Sequence, residues 1–315
     1  MTATRTGDDR PRVAVFAPAP VLVCTFEHPP DDTQPDIALN VGGQGPWVAR
    51  AVTALGAQAI LVTPLGGDTG RAAGHLLSDA PHEIRAVDTH AAIACYVEQR
   101  RDGERSCIRE APPGRFGQRE IDDLYSAALA AAMEADVTVI TGSPWTDHLD
   151  PRLLTRLTAD LAELGRPTVA DLSGAQLEAA LEGGVDWLKI AHDECGLAID
   201  DEAGAWKAAE RLACTGRRRG VIVSRSEEPT VVVVGTEGGA RFRIRTPTLT
   251  TVDARGSGDA MTAALATGLA TGVPLDGLLR RAAAAGAANA VHKGSAAPDA
   301  LLVERLAHAV EVEPC

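Results

Sequence analysis

The sequence predicts an α/β fold with a mostly parallel sheet covered by helices, and two observations carry that expectation. Short β-branched runs alternate with Ala/Leu-rich helical stretches along most of the chain, the rhythm that βαβ units produce. Two segments, 21–41 and 91–110, break it by reading as strands with no helix between them. They predict a small separate β-layer over one edge of the main sheet, in effect a lid. The 315 residues show no evident break, so 1–315 reads as one domain. Its polar, charged start, 1–11, is expected to be disordered.

Taken in order, strands are expected at 13–16, 59–63, 137–141, 168–170, 187–190, 221–223, 231–234 and 240–245. Helices are expected at 46–55, 69–77, 118–134, 151–164, 203–213, 259–269 and 275–292. The first helix has Pro46 at its start and Gly56 beyond its end, where helix-terminus chemistry prefers them. In the second irregular segment, Cys95 to Arg100 and Arg105 to Arg109 flank Asp102-Gly103, a strong hairpin signal.

Composition narrows the function classes. The chain is 45% hydrophobic and 23% charged, ordinary for a folded globular protein. Only 3% is aromatic, so the core must be built from Ala, Val and Leu. A net charge of −13 argues against nucleic acid, which is bound by dense Lys/Arg surfaces. The basic run Arg217-Arg218-Arg219 reads as a solvated helix end, with a place near nucleotide phosphates as the alternative. Six cysteines without a C-x-x-C pair suit reduced thiols in a cytoplasm. The eight histidines show no metal-ligand spacing. Neither a signal peptide nor a membrane span is expected.

The chemistry concentrates in two glycine-rich turns. Gly256-Ser257-Gly258-Asp259 lies between an extended segment and an Ala-rich helix. Glycines allow a tight turn, and the first free N–H groups of the helix then converge on an anion site. An aspartate there could take a proton from an attacking hydroxyl; alone, the same residues are equally an ordinary N-cap. Gly42-Gly43-Gln44-Gly45 likewise precedes a helix and would let a ligand approach the backbone. The chain has no G-x-x-x-x-G-K-[ST] and no G-x-G-x-x-G after the first strand, so the P-loop and dinucleotide motifs are missing.

In order and spacing these segments resemble the ribokinase-like (PfkB) carbohydrate kinases, over roughly residues 13–295, and within them the phosphofructokinase and tagatose-6-phosphate kinase branch. The resemblance is carried by Gly42-Gly43-Gln44-Gly45 with Val48-Ala49-Arg50 and Leu55-Gly56, by Leu65-Gly66-Gly67-Asp68-Thr69-Gly70, and by Thr141-Gly142-Ser143. It continues through Asp171-Leu172-Ser173-Gly174, Lys189 with Glu194, and Asp253-Ala254-Arg255-Gly256-Ser257-Gly258-Asp259. It implies a ribokinase-like three-layer α/β/α sandwich with a small β-sheet lid, and an ATP- and Mg²⁺-dependent kinase of a sugar or sugar phosphate. Asp259 would be the catalytic base, and the amides of Gly256, Ser257 and Gly258 would hold the developing charge. Gly42, Gly43, Gln44 and Ser143 would bind the acceptor. Lys189 and Glu194 would serve the nucleotide, with Glu194 ordering the water shell of Mg²⁺. A homodimer paired through the lid is expected.

Several positions depart from the family pattern. An N-P-A-x-D element reads Ala17-Pro18-Ala19-Pro20-Val21, and G-G-K-G-x-N has Gln44 for lysine and Trp47 for asparagine. No lid arginine matches directly; Arg100, Arg101, Arg105 or Arg109 could substitute. K-P-N-x-x-E is Lys189-Ile190-Ala191-His192-Asp193-Glu194. T-L-G-x-x-G is Ser224-Arg225-Ser226-Glu227-Glu228-Pro229. Ser224 is expected at the nucleotide, and Arg225 and Arg255 could contact phosphates in compensation. The alternatives are a kinase for a nucleoside or other small alcohol, and a catalytically weak sugar- or nucleotide-binding regulator.

Overall fold

The structure, a computed structural model, describes residues 10–28, 34, 36–101, 104–145, 148–215, 220–235, 238–292 and 297–315. Residues 1–9, the Asp102-Gly103 turn and Arg217-Arg218-Arg219 lie outside the described residues.

The chain runs β1 (Arg12–Phe16), β2 (Val21–Glu27), β3 (Asp36–Gly42), α1 (Gln44–Ala54), β4 (Gln58–Gly66), α2 (Gly67–Leu77) and β5 (Glu83–Thr89). Next come β6 (Ala94–Arg101), β7 (Glu104–Ala111), α3 (Gln118–Glu134), β8 (Val137–Thr141), α4 (Arg152–Glu163), β9 (Thr168–Asp171) and α5 (Gly174–Gly183). The last third is β10 (Trp187–Ala191), α6 (Glu202–Ala213), β11 (Gly220–Arg225), β12 (Glu228–Val234), β13 (Ala240–Arg245), α7 (Ser257–Ala270), α8 (Leu275–Ala290), α9 (Ala300–Ala307) and β14 (Glu311–Pro314).

The main sheet has the order β14-β13-β12-β11-β10-β9-β8-β1-β4-β5. From β11 to β5 every pairing is parallel, and the strands beyond β11 pair antiparallel. The alternation of side chains along β1 shows why helices cover both faces. Val13, Val15 and Ala17 pack into one core with residues of α1, α7 and α8, while Ala14 and Phe16 join α3 and α4 in the other. A strand buried on both sides reads as a continuous apolar run, which is how β1 and β8 stand out in the sequence.

The elements the sequence reading leaves unassigned are β5, β14, α5 and α9. Both strands close the edges of the main sheet, where charged residues such as Glu83, Asp88, Glu311 and Glu313 are expected, because they discourage pairing with another chain. They dilute the strand signal.

The second sheet has the order β3-β2-β6-β7. It is mixed: β2 and β6 pair in parallel, and each carries an antiparallel neighbour. Val21, Val23, Thr25 and Glu27 of β2 and Tyr96, Glu98 and Arg100 of β6 line a cleft over the main sheet. Ile37 and Leu39 of β3 stay exposed.

Arg225 corrects one expectation. Its side chain is 1% exposed and does not reach the cleft. Nε and Nη2 donate to the Ile199 carbonyl (3.1 and 2.9 Å), and Nη1 donates to the Pro229 carbonyl and Glu202 (3.1 and 3.4 Å). A guanidinium enclosed in this way joins β11, β12 and α6 and is withheld from nucleotide phosphates. Arg225→Met should therefore lower the unfolding free energy by about 3 kcal/mol, because it leaves the Ile199 and Pro229 carbonyls without their donors while Glu202 keeps Arg243. Urea titration would measure it.

Candidate active site

A cleft of about 930 Å³ opens between the second sheet and the ends of β8, β9 and β10, with the start of α7 in its floor. In a parallel α/β sheet, the carboxyl ends of the strands are where ligand crevices form.

The floor is set by the turn into α7. Gly256 takes φ 83°, a left-handed conformation that glycine adopts without steric cost. The turn is tied to α8, because Val252 and Asp253 donate their amides to the Ala290 carbonyl (2.8 and 3.1 Å) and Asn289 Nδ2 donates to the Arg255 carbonyl (2.9 Å). Gly256, Gly258 and Asp259 line the cleft, and Ser257 does not. The Ser257 amide donates back to the Ala254 carbonyl (3.2 Å). Of the three amides expected to face a ligand, this one is turned into the loop.

Asp259 is 9% exposed at the floor. Beside it, Lys189 Nζ lies 3.3 Å from the Asp171 carboxylate, which also accepts the Thr262 hydroxyl (2.8 Å). Lys189 and Asp171 are direct register partners on adjacent parallel strands. Lys189 Nζ also lies 2.5 Å from where a side-chain carbon at position 258 would sit, so only glycine fits there without displacing it. Burial, reinforced by the negative charge of Asp171, pushes the Asp259 carboxyl up to about 8, and Lys189 restrains the shift. Burial pulls the Lys189 ammonium down, but Asp171, Glu194 and Asp259 together outweigh it and hold the group above its ordinary value. Asp171 carried part of the family resemblance with no role attached; its signal is an acidic residue at the carboxyl end of a parallel strand.

Glu194 follows β10 in a turn of 3₁₀ helix (Asp193–Cys195) and lines the same cleft. Burial raises its carboxyl, although an amide hydrogen bond from Ala191 (2.8 Å) pulls the other way. Among the described residues no group of His, Cys, Asp or Glu is arranged to cage a metal. Ser224 does not line the cleft, and its hydroxyl turns toward the Ile190 carbonyl at 3.5 Å.

At the other end, Gly42, Gly43, Gln44 and Ser143 meet. Helix α1 starts at Gln44, two residues earlier than its Pro46 suggests. Gln44 accepts the Gly142 amide (3.2 Å), and Gln176 grips Ser143 through both amide and carbonyl (2.9 Å each). Sequence reasoning missed Gln176, which lies in a helix left unassigned. Trp47 and Tyr96 add aromatic wall, and Trp145 backs Tyr96 at 6.0 Å between ring centroids.

The arginines expected to serve ligands are differently placed. Arg100 and Arg105 line the cleft, but both donate to Asp253 Oδ2 at 3.0 Å. Arg255 donates to Glu98 of the second sheet at 3.2 Å. Arg101 and Arg109 do not line the cleft.

The family model described as pfkB family carbohydrate kinase matches residues 21–300. ATP-dependent 6-phosphofructokinase isozyme 2 of Mycobacterium tuberculosis is 30% identical over 277 residues, 84% of this chain and 78% of that protein. The enzyme of the same name from Escherichia coli is 27% identical over 264 residues, 81% of this chain and 82% of that protein. Among solved structures, phosphofructokinase-2 from Escherichia coli in complex with potassium superposes with a TM-score of 0.79 at 23% identity, covering 95% of this chain and 98% of its own. A possible 1-phosphofructokinase from Thermotoga maritima reaches 0.81 at 18% identity, covering 96% and 99%.

The raised carboxyl of Asp259 has a consequence for stability. Folded, it binds its proton up to about pH 8, whereas in the unfolded chain it would release it near about 4. Between these values the folded state holds more protons, so the group costs stability progressively as pH rises, and the full cost persists above 8. Asp259→Asn should raise Tm little near pH 4 and most above pH 8, as calorimetry across that range would show.

Proposed function

Because the chain belongs to the pfkB family of carbohydrate kinases, we propose that it transfers the γ-phosphoryl group of ATP to a hydroxyl of a sugar or sugar phosphate held under the second sheet. The observation that carries this reading is Asp259, a proton-accepting carboxyl at the N-terminus of α7, facing a cleft large enough for both substrates.

In this reading the acceptor hydroxyl approaches Asp259, which takes its proton at a carboxylate oxygen as the new O–P bond forms and the bond from the γ-phosphorus to the β,γ-bridging oxygen breaks, releasing ADP. Loss of that proton makes the hydroxyl oxygen a stronger nucleophile. Charge on the transferred group meets the amide of Gly258 and the positive end of α7. Lys189, held by Asp171, keeps the site from becoming a bare cluster of carboxylates. Gly42, Gly43, Gln44 and Ser143 position the acceptor, and the second sheet keeps out water, the competing acceptor. Lys189 and Arg255 are the cationic candidates for the nucleotide end.

Magnesium fits through water. Glu194 stands without two further carboxylates arranged around a common point among the described residues, which suits an ion that retains its hydration shell and binds chiefly to substrate phosphates. Bound there, it would neutralise phosphate charge.

The apolar strand face of Ile37 and Leu39, 59% and 53% exposed, supports pairing of two protomers through the lid; a tetrameric inhibited form is named for phosphofructokinase-2 of Escherichia coli. No described helix is long and apolar enough to cross a membrane, and a cytoplasmic setting fits the scattered free cysteines. A second acceptor class, nucleosides or other unphosphorylated alcohols, is favoured by one observation: Trp47 and Tyr96 face the cleft where Gln44 offers no charge.

With Mg·ATP, ADP release is expected on at least one member of a panel of hexoses, hexose phosphates and nucleosides. Asp259→Asn should lower kcat by about 10²–10⁴-fold, the usual contribution of a positioned base. Undiminished turnover in that variant would remove Asp259 from the mechanism.

A further inference from the structure

The second sheet does more than overhang the cleft, because it is ionically bonded to the loop that carries the catalytic turn. Asp253 Oδ2 accepts Nη2 of Arg100 from β6 and Nη2 of Arg105 from β7, each at 3.0 Å, while its Oδ1 accepts the Arg255 amide (3.1 Å). Glu98 of β6 closes the circuit. Its Oε1 accepts Arg105 Nη1 (3.1 Å) and the Thr25 hydroxyl (3.0 Å), and its Oε2 accepts Arg255 Nη1 (3.2 Å). Glu27 adds a looser contact to Arg100 at 3.8 Å. The side chains of Arg100, Glu98 and Asp253 are only 4%, 5% and 10% exposed.

We propose that Glu98 and Asp253 are positioning residues, forming with Arg100, Arg105 and Arg255 a latch that couples closure of the lid to the geometry of the Gly256–Asp259 turn. The proposal rests on the kinase reading for its catalytic consequence and on the ion pairs alone for its mechanical one.

Three features make this a latch rather than surface decoration. The pairs of Arg100 and Arg105 with Asp253 and Glu98 are largely out of water, so their attraction is weakly screened and removing one member leaves a buried charge uncompensated. They join the second sheet to a separate part of the fold: Glu98 lies on β6, and Arg255, 157 residues further along the chain, lies in the turn before α7. The loop side ends next to Gly256, so a displacement of Arg255 passes directly to the helix N-terminus holding Asp259. Nε of both Arg100 and Arg105 is buried with no partner among the described residues. An incompletely satisfied buried network is weaker than a complete one, which suits a contact that opens each time substrates enter. The lid arginines are therefore spent on the loop, and their commitment to carboxylates argues against their gripping an anionic acceptor.

Hydrogen–deuterium exchange on the ligand-free protein tests the mechanical claim without any activity. Glu98→Gln, which keeps shape and removes charge, should speed exchange about tenfold or more in both the lid strands (94–101 and 104–111) and 253–258, while β1 and β8 keep their protection. If either segment is unchanged, the latch is wrong. Arg255→Met, at a side chain 45% exposed, replaces it should Glu98→Gln fail to fold, and the same paired response is required. In the enzyme, Glu98→Gln should raise ATP hydrolysis without acceptor and raise acceptor KM more than it lowers kcat. A fall in kcat alone, with KM and hydrolysis unchanged, would overturn the coupling. If the native chain transfers phosphate to no acceptor yet the exchange response holds, the kinase reading fails and the latch stands.

Discussion

The structure turns on the partial neutralisation of Asp259 at the N-terminus of α7. A carboxylate sunk among apolar residues and beside Asp171 resists ionisation, since burial and like charge both disfavour the anion. Lys189 makes the arrangement tenable. It is paired with Asp171 and acts on Asp259 through its charge, is fixed by the register of β9 against β10, and requires glycine at 258 to make room. Strand pairing, the glycine turn and the helix terminus are thus one device, set to keep a weak acid close to the working range of a base.

The ends of the cleft divide the labour by residue type. At the floor, charges are concentrated and mutually dependent. Toward α1 and β8, amide, hydroxyl and aromatic groups gather, namely Gln44, Gln176, Ser143, Trp47 and Tyr96, beside the guanidinium of Arg50. Of 315 residues only 3% are aromatic, so rings gathered here are a local choice that offers a ligand contact with a ring face.

Local chemistry was the part legible in the sequence. The parallel sheet followed from short β-branched runs alternating with Ala/Leu-rich helical stretches, and the turn at Gly256–Asp259 from glycines abutting an Ala-rich helix; colinear family segments then raised that turn above an ordinary cap. Convergence was not legible. Asp171 and Lys189 meet only once β9 and β10 are paired in register, and Glu98 meets Arg255 only when the two sheets face one another. Arg225 misled for the related reason that an arginine in a turn-rich stretch looks solvated, whereas here the fold closes around it and answers its donors with carbonyls.

The most direct measurement of the central claim is the pH dependence of kcat/KM for the native chain and for Lys189→Met. With Asp259 as a base pushed up to about 8, the native profile should rise through the neutral range and level off above that value. Removing the cation that restrains the shift should move the rise to higher pH. A profile flat from pH 6 to 9, or one that Lys189→Met leaves in place or moves downward, would contradict the account.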